Sequence, residues 1–212
     1  MLGYAFVLVV GGIFLYLGHQ RYKAFIEHKE TVAESIGLTF SEEMDRPLDQ
    51  YGQFTFFRKR PRLATKHLLT GDYQSHPVEA FEGSYAPFYF ENFRRTYSCA
   101  IFTLSRPLEP IEIYASGISD DSKLKADLVR EMTVWEEFAD AFEVICEDQK
   151  FIHSLDENLI KMFLRNTGLM LEIRNDLLLV AVDESLEPEK IISFLDLAVK
   201  VKGYIVKARV VC

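Results

Sequence analysis

From Met1 to Gly18 the chain carries no charged side chain, and a run of that length at the helical rise reaches about 27 Å, close to the roughly 30 Å hydrocarbon core of a bilayer. A secretory signal would open on basic residues and close on small ones. Here no Lys or Arg precedes the run, and His19, Gln20, Arg21, Tyr22 and Lys23 follow it. A buried core helix suits shorter runs, of about 10 to 14 residues. The pattern therefore predicts a retained transmembrane helix over residues 1–19. Arg21, Lys23 and Lys29 lie after the span, with only the α-amino group before it, and cations mark the cytoplasmic side. The expectation is a single-pass protein of the inner membrane with its C-terminal domain in the cytoplasm.

Helical spacing continues past the span. Tyr22, Phe25, Ile26, Val32, Ala33 and Ile36 recur at three- and four-residue steps and end at Gly37, predicting a juxtamembrane helix over 20–36 with a glycine cap. Lys23, Glu27, Lys29, Glu30 and Glu34 read as its solvated side, and Ser41 to Gln50, around Pro47, as a loop.

The middle of the chain is rich in aromatic and β-branched residues at alternating positions. Strands are expected at Phe54–Phe57, Lys66–Thr70, Val78–Tyr85, Arg95–Leu104 and Ile111–Ala115, with turns at Gly71-Asp72 and Ser75-His76-Pro77. Links this short leave no room for crossover helices, so the sheet should be mostly antiparallel.

The last third alternates. Asp121 or Ser122 can cap a helix carrying Leu124, Leu128, Met132 and Trp135, and Phe142–Cys146 follows as a strand. Ser154-Leu155-Asp156-Glu157 has the form of a capping box for a helix that closes at Gly168. Leu169–Arg174 and Leu177–Val182 read as a hairpin on Asn175-Asp176, residues that tolerate the left-handed conformation. Pro188 opens a helix expected to end at Gly203, with a last strand over Tyr204–Val211. The fold class is α+β: an N-terminal transmembrane helix, then a mostly antiparallel sheet with helices packed on it, the last third running strand, helix, hairpin, helix. Residues 37–212 form one cytoplasmic domain.

With the anchor, Ile36-Gly37, His67-Leu68-Leu69-Thr70-Gly71, Val78–Tyr85, the Tyr97–Leu104 strand and the Ile111 strand in place, the arrangement resembles a loose group of uncharacterised bacterial membrane-anchored proteins with a cytoplasmic domain of unknown function. The resemblance spans the chain from the anchor to the Ile191 helix. It implies the same membrane address and transfers no catalytic residue. The aromatic segment Phe88–Phe93 has no counterpart in that pattern.

Composition changes this picture little. The formal charge of −8 is uneven: residues 1–106 hold 12 Lys and Arg against 11 Asp and Glu, residues 107–212 hold 12 against 21. That balance argues against a nucleic-acid partner. Cys99, Cys146 and Cys212 are far apart, and the five histidines stand singly, so neither metal-ligand nor disulfide spacing is present and no cofactor is expected. G-x-S-x-G, P-loop and dinucleotide motifs are missing, so no catalytic residue is assigned. Acidic pairs such as Glu136-Glu137 and Asp183-Glu184 read as solvated or helix-capping.

Two segments carry candidate contacts. Arg58, Lys59, Arg60 and Arg62 form the densest basic run, suited to anionic lipid at about 1 kcal/mol per cation. Tyr89, Phe90, Phe93, Arg94 and Arg95 interleave aromatics with cations, as contact surfaces do. The expected function is a non-catalytic domain at the inner membrane face that binds a protein partner or lipid. The alternative is an enzyme or small-ligand sensor with a pocket in the aromatic-lined sheet.

Overall fold

The computed structural model describes residues 2–43, 48–60, 63–85, 95–116, 133–146 and 155–208, without the side chains of residues 2–9, 48, 49, 133 and 208. Helix α1 (Leu2–Ser35) is continuous over 34 residues. It is followed by β1 (Leu38–Glu43), a 3₁₀ turn (Leu48–Tyr51), α2 (Thr55–Arg58), β2 (Ala64–Tyr73), β3 (His76–Tyr85) and β4 (Arg95–Ala115). Then come α3 (Thr133–Ala141), β5 (Phe142–Cys146), α4 (Glu157–Arg165), β6 (Leu169–Val182), a 3₁₀ turn (Pro188–Lys190) and α5 (Ile191–Ala208). The architecture is α+β, with an antiparallel six-stranded sheet ordered β1-β2-β3-β4-β5 and β6 also paired to β4. Among the described residues no helix is long and apolar enough to cross a membrane.

β6 doubles back on itself. Asp183 N donates to Gly168 O at 3.0 Å, so the two ends of β6 meet, and Asn175 stands at the reversal with φ 55°. β4 clasps this hairpin from both sides: Ser98–Thr103 pair with Leu177–Val182, and Ile111–Ile113 with Leu171–Ile173. The irregular stretch between Thr103 and Ile111, which holds Pro107 and Pro110, carries β4 around the hairpin tip.

The sheet is buried on both faces. Ala33 of α1, Phe138 of α3, Leu159, Ile160 and Phe163 of α4, and Ile191, Leu195 and Ala198 of α5 cover Val78, Ala80, Phe102, Ile113, Leu171 and Val180. Tyr51, Phe54, Phe56, Phe57 and Leu63 cover Phe81, Tyr97, Cys99, Met170 and Leu179 on the other face. Asp156 caps α4 by accepting from Asn158 N at 2.7 Å, while Ser154 and the helix start expected at Asp121 or Ser122 lie outside the described residues.

Several local expectations change. Phe54–Phe57 is not a strand: α2 occupies it, because the Glu172 carboxylate accepts from Thr55 N at 2.6 Å and Phe56 N at 2.9 Å and so satisfies the first turn. Within the expected loop, Ser41–Glu43 belong to β1 and Leu48 opens a 3₁₀ turn. The β2–β3 reversal is at Gln74-Ser75, φ 50° and 65°, and shares Ser75 with the turn expected at Ser75-His76-Pro77; His76 and Pro77 open β3, and Gly71-Asp72 lie inside β2. α5 runs through Gly203 to Ala208, so Tyr204–Ala208 are helical rather than extended.

Two glycines make opposite predictions. Gly71 has φ +145°, and a Cβ there would meet Leu38 Cδ2 at 3.1 Å and Gly37 O at 3.3 Å, so Gly71→Ala should lower stability by about 1–3 kcal/mol. A Cβ at Gly203 meets nothing, so Gly203→Ala should raise stability by about 0.5–1 kcal/mol through helix propensity. Urea midpoints measure both.

Candidate functional site

α1 docks through the stripe Phe25, Ile26, Lys29, Val32, Ala33 and Ile36, of which Lys29 and Ala33 are fully buried. Lys29 therefore does not belong to the solvated side. Its Nζ lies 2.9 Å from His67 Nδ1 and 3.7 Å from Glu82 Oε2, and 4.6 Å from the centre of the Phe25 ring. Lys29 can only donate, so Nδ1 accepts and the proton of His67 sits on Nε2. Nε2 has no partner among the described residues.

A bulge builds the other half of this cluster. The β2–β3 register slips between Lys66 and Leu69, and His67 takes φ 58°. Two consecutive β2 residues then face one β3 residue: Lys66 Nζ is 2.9 Å and His67 Nδ1 3.9 Å from the Glu82 carboxylate. Glu82 also accepts from Leu186 N at 3.2 Å. Burial alone would raise the Glu82 pKa, but the hydrogen bond from Lys66 and the charges of Lys29 and Lys66 outweigh it and hold the group at about 2. Burial lowers Lys29 to about 8 despite the opposing pull of Glu82.

A second buried cluster lies under α2. Arg174 Nε reaches Glu172 at 2.9 Å and also pairs with Glu112, while Tyr114 OH donates to Glu172 at 2.9 Å. Burial, then the two carboxylates, push the Tyr114 hydroxyl well above its ordinary pKa. These contacts tie β4 to β6, and the bonds to Thr55 and Phe56 fix α2 on the sheet, so this cluster reads as structural. Among the described residues no three His, Cys, Asp or Glu side chains converge as a metal ion would require.

The expected contact residues divide. Arg60 is buried: its guanidinium lies 4.2 Å from the centre of the Phe56 ring and 4.9 Å from that of Tyr97, and it donates to Phe56 O at 3.0 Å. It belongs to the core and is withdrawn from the basic surface. Arg58 and Lys59 are exposed on and just after α2. Arg95 is exposed and faces Asp183 at 3.8 Å. Arg62, Tyr89, Phe90, Phe93 and Arg94 lie outside the described residues.

Strand pairing brings the exposed cations towards one end of the sheet. Glu43 pairs with Lys66, Ala64 with Ser84 and Tyr85 with Arg95, so these residues share an end. Leu63 packs against Gly83, two residues short of the Tyr85–Arg95 pair. Tyr22 OH donates to Glu42 at 2.5 Å and places α1 at the same end. Gly18, where the uncharged run stops, is four residues further up the helix, about 6 Å at the helical rise. The cations there are Arg95, exposed, and Lys66, half-buried and paired with Glu82; exposed carboxylates are Glu42, Glu43 and Asp183.

No family model matches the chain, and no curated protein matches it in sequence. Among solved structures the fold is similar to the crystal structure of the mycobacterial trehalose monomycolate transport factor A, TtfA, with a TM-score of 0.60 at 10% identity over 87% of this chain and 95% of that one. At that identity the likeness is one of fold.

The α1-root cluster sets a pH dependence. Glu82 is depressed from 4.5 to about 2, so its contribution is complete above pH 4.5 and is lost as pH falls towards 2. Lys29 has the opposite sense: with a folded value near 8 against 10.5 unfolded, stability rises as pH rises between those values. Glu82→Gln should cost about 3–5 kcal/mol at neutral pH by stranding the buried Lys29 charge, and should flatten the acid limb. Lys29→Met, which leaves Glu82 paired with Lys66, should cost less. Urea titrations at several pH values separate the two.

Proposed function

We propose that this is a non-catalytic interaction domain tethered to the inner membrane by residues 1–19, with residues 37–212 in the cytoplasm and the α1 end of the sheet turned to the bilayer. The observation that carries the reading is the exposure of Ile13, Phe14, Leu15, Tyr16 and Leu17, which range from 47% to 78% exposed on a helix continuous with the domain. Five consecutive helical residues point in every direction around the axis, so one apolar patch on a partner cannot cover them all. A hydrocarbon surrounding can, and each such side chain gains about 1.5–3 kcal/mol by leaving water.

The docked root of α1 then sets which end of the domain lies near the headgroups. Lys66 and Arg95 are at that end, Arg58 and Lys59 approach it along α2, and the connection 86–94 starts and finishes there. Cations at headgroup level favour anionic lipid, and the aromatic content of residues 86–94 favours an interfacial or protein contact. The alternative, an enzyme or small-ligand sensor, would use the cleft of about 560 Å³ lined by Tyr51, Asp72, Glu79, Ile101 and Leu177 on the face opposite α1. Its most prominent polar pair, Tyr51 OH and Glu79, is already spent on an internal hydrogen bond.

Deleting residues 1–20 should move the protein from the membrane fraction to the soluble one; retention in the membrane fraction overturns the tether. Flotation of that shortened chain with phosphatidylglycerol vesicles tests the lipid contact. The triple variant Arg58→Gln, Lys59→Gln, Arg95→Gln should weaken partitioning on the order of a hundredfold, at about 1 kcal/mol per cation. Arg60 is left in place because it packs in the core. Unchanged partitioning overturns the lipid part.

A further inference from the structure

α4 and α5 lie on the same face of the sheet, with a groove of about 630 Å³ between them. Asn158 and Arg165 of α4 and Ser193 and Tyr204 of α5 are among the residues that line it. From Ser193 to Tyr204 the groove follows about three turns of α5, roughly 16 Å at the helical rise. Phe194 is buried, and Met162, Leu197 and Tyr204 are half-buried and present an apolar floor.

The charges along this groove are unevenly committed. Asp196 accepts from Tyr73 OH at 2.7 Å and Gln74 Nε2 at 2.8 Å, and Glu184 holds Lys190 at 2.5 Å. Lys161 is tied to Glu157 at 2.5 Å. Arg165 and Lys200 are exposed on opposite walls, and neither has a carboxylate partner among the described residues. With the ion-paired groups set aside, Arg165 and Lys200 outnumber Asp196, which keeps its charge because both its donors are neutral, so the groove is net positive in the half of the chain that is otherwise acidic.

The walls also restrict the form of the occupant. Both are helices whose backbone groups bond within the helix, so the groove offers no row of free N–H and C=O groups for an extended segment to pair with. A helix seated here satisfies its own backbone without any partner from the walls. We infer that the α4–α5 groove docks an acidic amphipathic helix of a partner protein, its apolar side on Met162, Phe194 and Leu197 and its carboxylates on Arg165 and Lys200. The inference does not depend on how α1 is placed.

The test uses the full chain in phosphatidylcholine nanodiscs and a fluorescein-labelled helical peptide with Leu at helical spacing and Glu elsewhere, read by anisotropy. A second peptide carries Lys in place of every Glu. The expected result is saturable binding of the Glu peptide, at least tenfold weakening by Arg165→Glu with Lys200→Glu, steep loss with added salt, and no binding of the Lys peptide. Both substituted residues are exposed, and an unchanged urea midpoint confirms that the variant is folded. Equal binding of the two peptides, or a variant that binds the Glu peptide as well as the parent does, overturns the proposal. Laurate occupying the groove in preference to the peptide also overturns it, in favour of a small amphiphile. Self-association abolished by the same two substitutions overturns it in favour of a second copy.

Discussion

The Glu82 carboxylate is the point at which three separate parts of the chain are joined. It faces Lys29 from α1, Lys66 and His67 from the β2 bulge, and the backbone N–H of Leu186 from the turn that leads to α5. Removing a carboxylate and an ammonium group from water costs several kcal/mol per ion, and their mutual attraction offsets this only when other hydrogen bonds complete the site. Here they do on the carboxylate side, while His67 Nε2 has no partner among the described residues. A cluster of this kind adds modest net stability but penalises every other placement of α1, because any slip along the helix strands a charge in the core. Rotation about the helix axis is restricted in the same way.

The polar contacts of Tyr22 with Glu42 and of His28 with Glu189 flank this cluster on the surface. Both are too exposed to contribute much by themselves. The docking therefore rests on the apolar stripe for its free energy and on Lys29 with Glu82 for its register. The second carboxylate cluster does comparable work on the opposite face, where Glu172 supplies the cap that α2 cannot find locally. In both places one acidic residue on an interior strand fixes an element that local sequence leaves undecided.

That division explains what could be read from the chain in advance. The root of α1, the paired strands of β2 and β3, and the β6 reversal at Asn175 follow from periodicity and turn chemistry, which are local. α2 was not legible, because Phe54 to Phe57 favour a strand by propensity and the carboxylate that caps them lies on β6. The Ser75-His76-Pro77 signal marks the β2–β3 turn one residue late, because Gln74 is neither glycine nor asparagine, and Gly203 resembles a cap only while the packing of Val201 and Ile205 on either side is unknown. Lys29 was legible by spacing. It stands four residues after Phe25 and four before Ala33, in the middle of the apolar stripe, and its charge alone suggested the solvated side. Arg60 misleads for a related reason: a guanidinium can lie flat on aromatic faces, so a dense basic run need not be a surface.

Continuity of α1 links the buried cluster to the proposed site. A helix that passes without a break from the uncharged run into the sheet transmits orientation as well as attachment, since about 16 residues separate Leu17 from Ala33 and span only some 24 Å. A flexible linker of equal length would let the domain present any side to its surroundings. With Lys29 held by Glu82, the end bearing Lys66 and Arg95 keeps one relation to the apolar run, and the α4–α5 groove on the α1 face of the sheet does too. Under the tethered reading, the domain is therefore positioned and not merely retained, and a surface for lipid and a surface for a partner helix can be engaged together without a change in the fold.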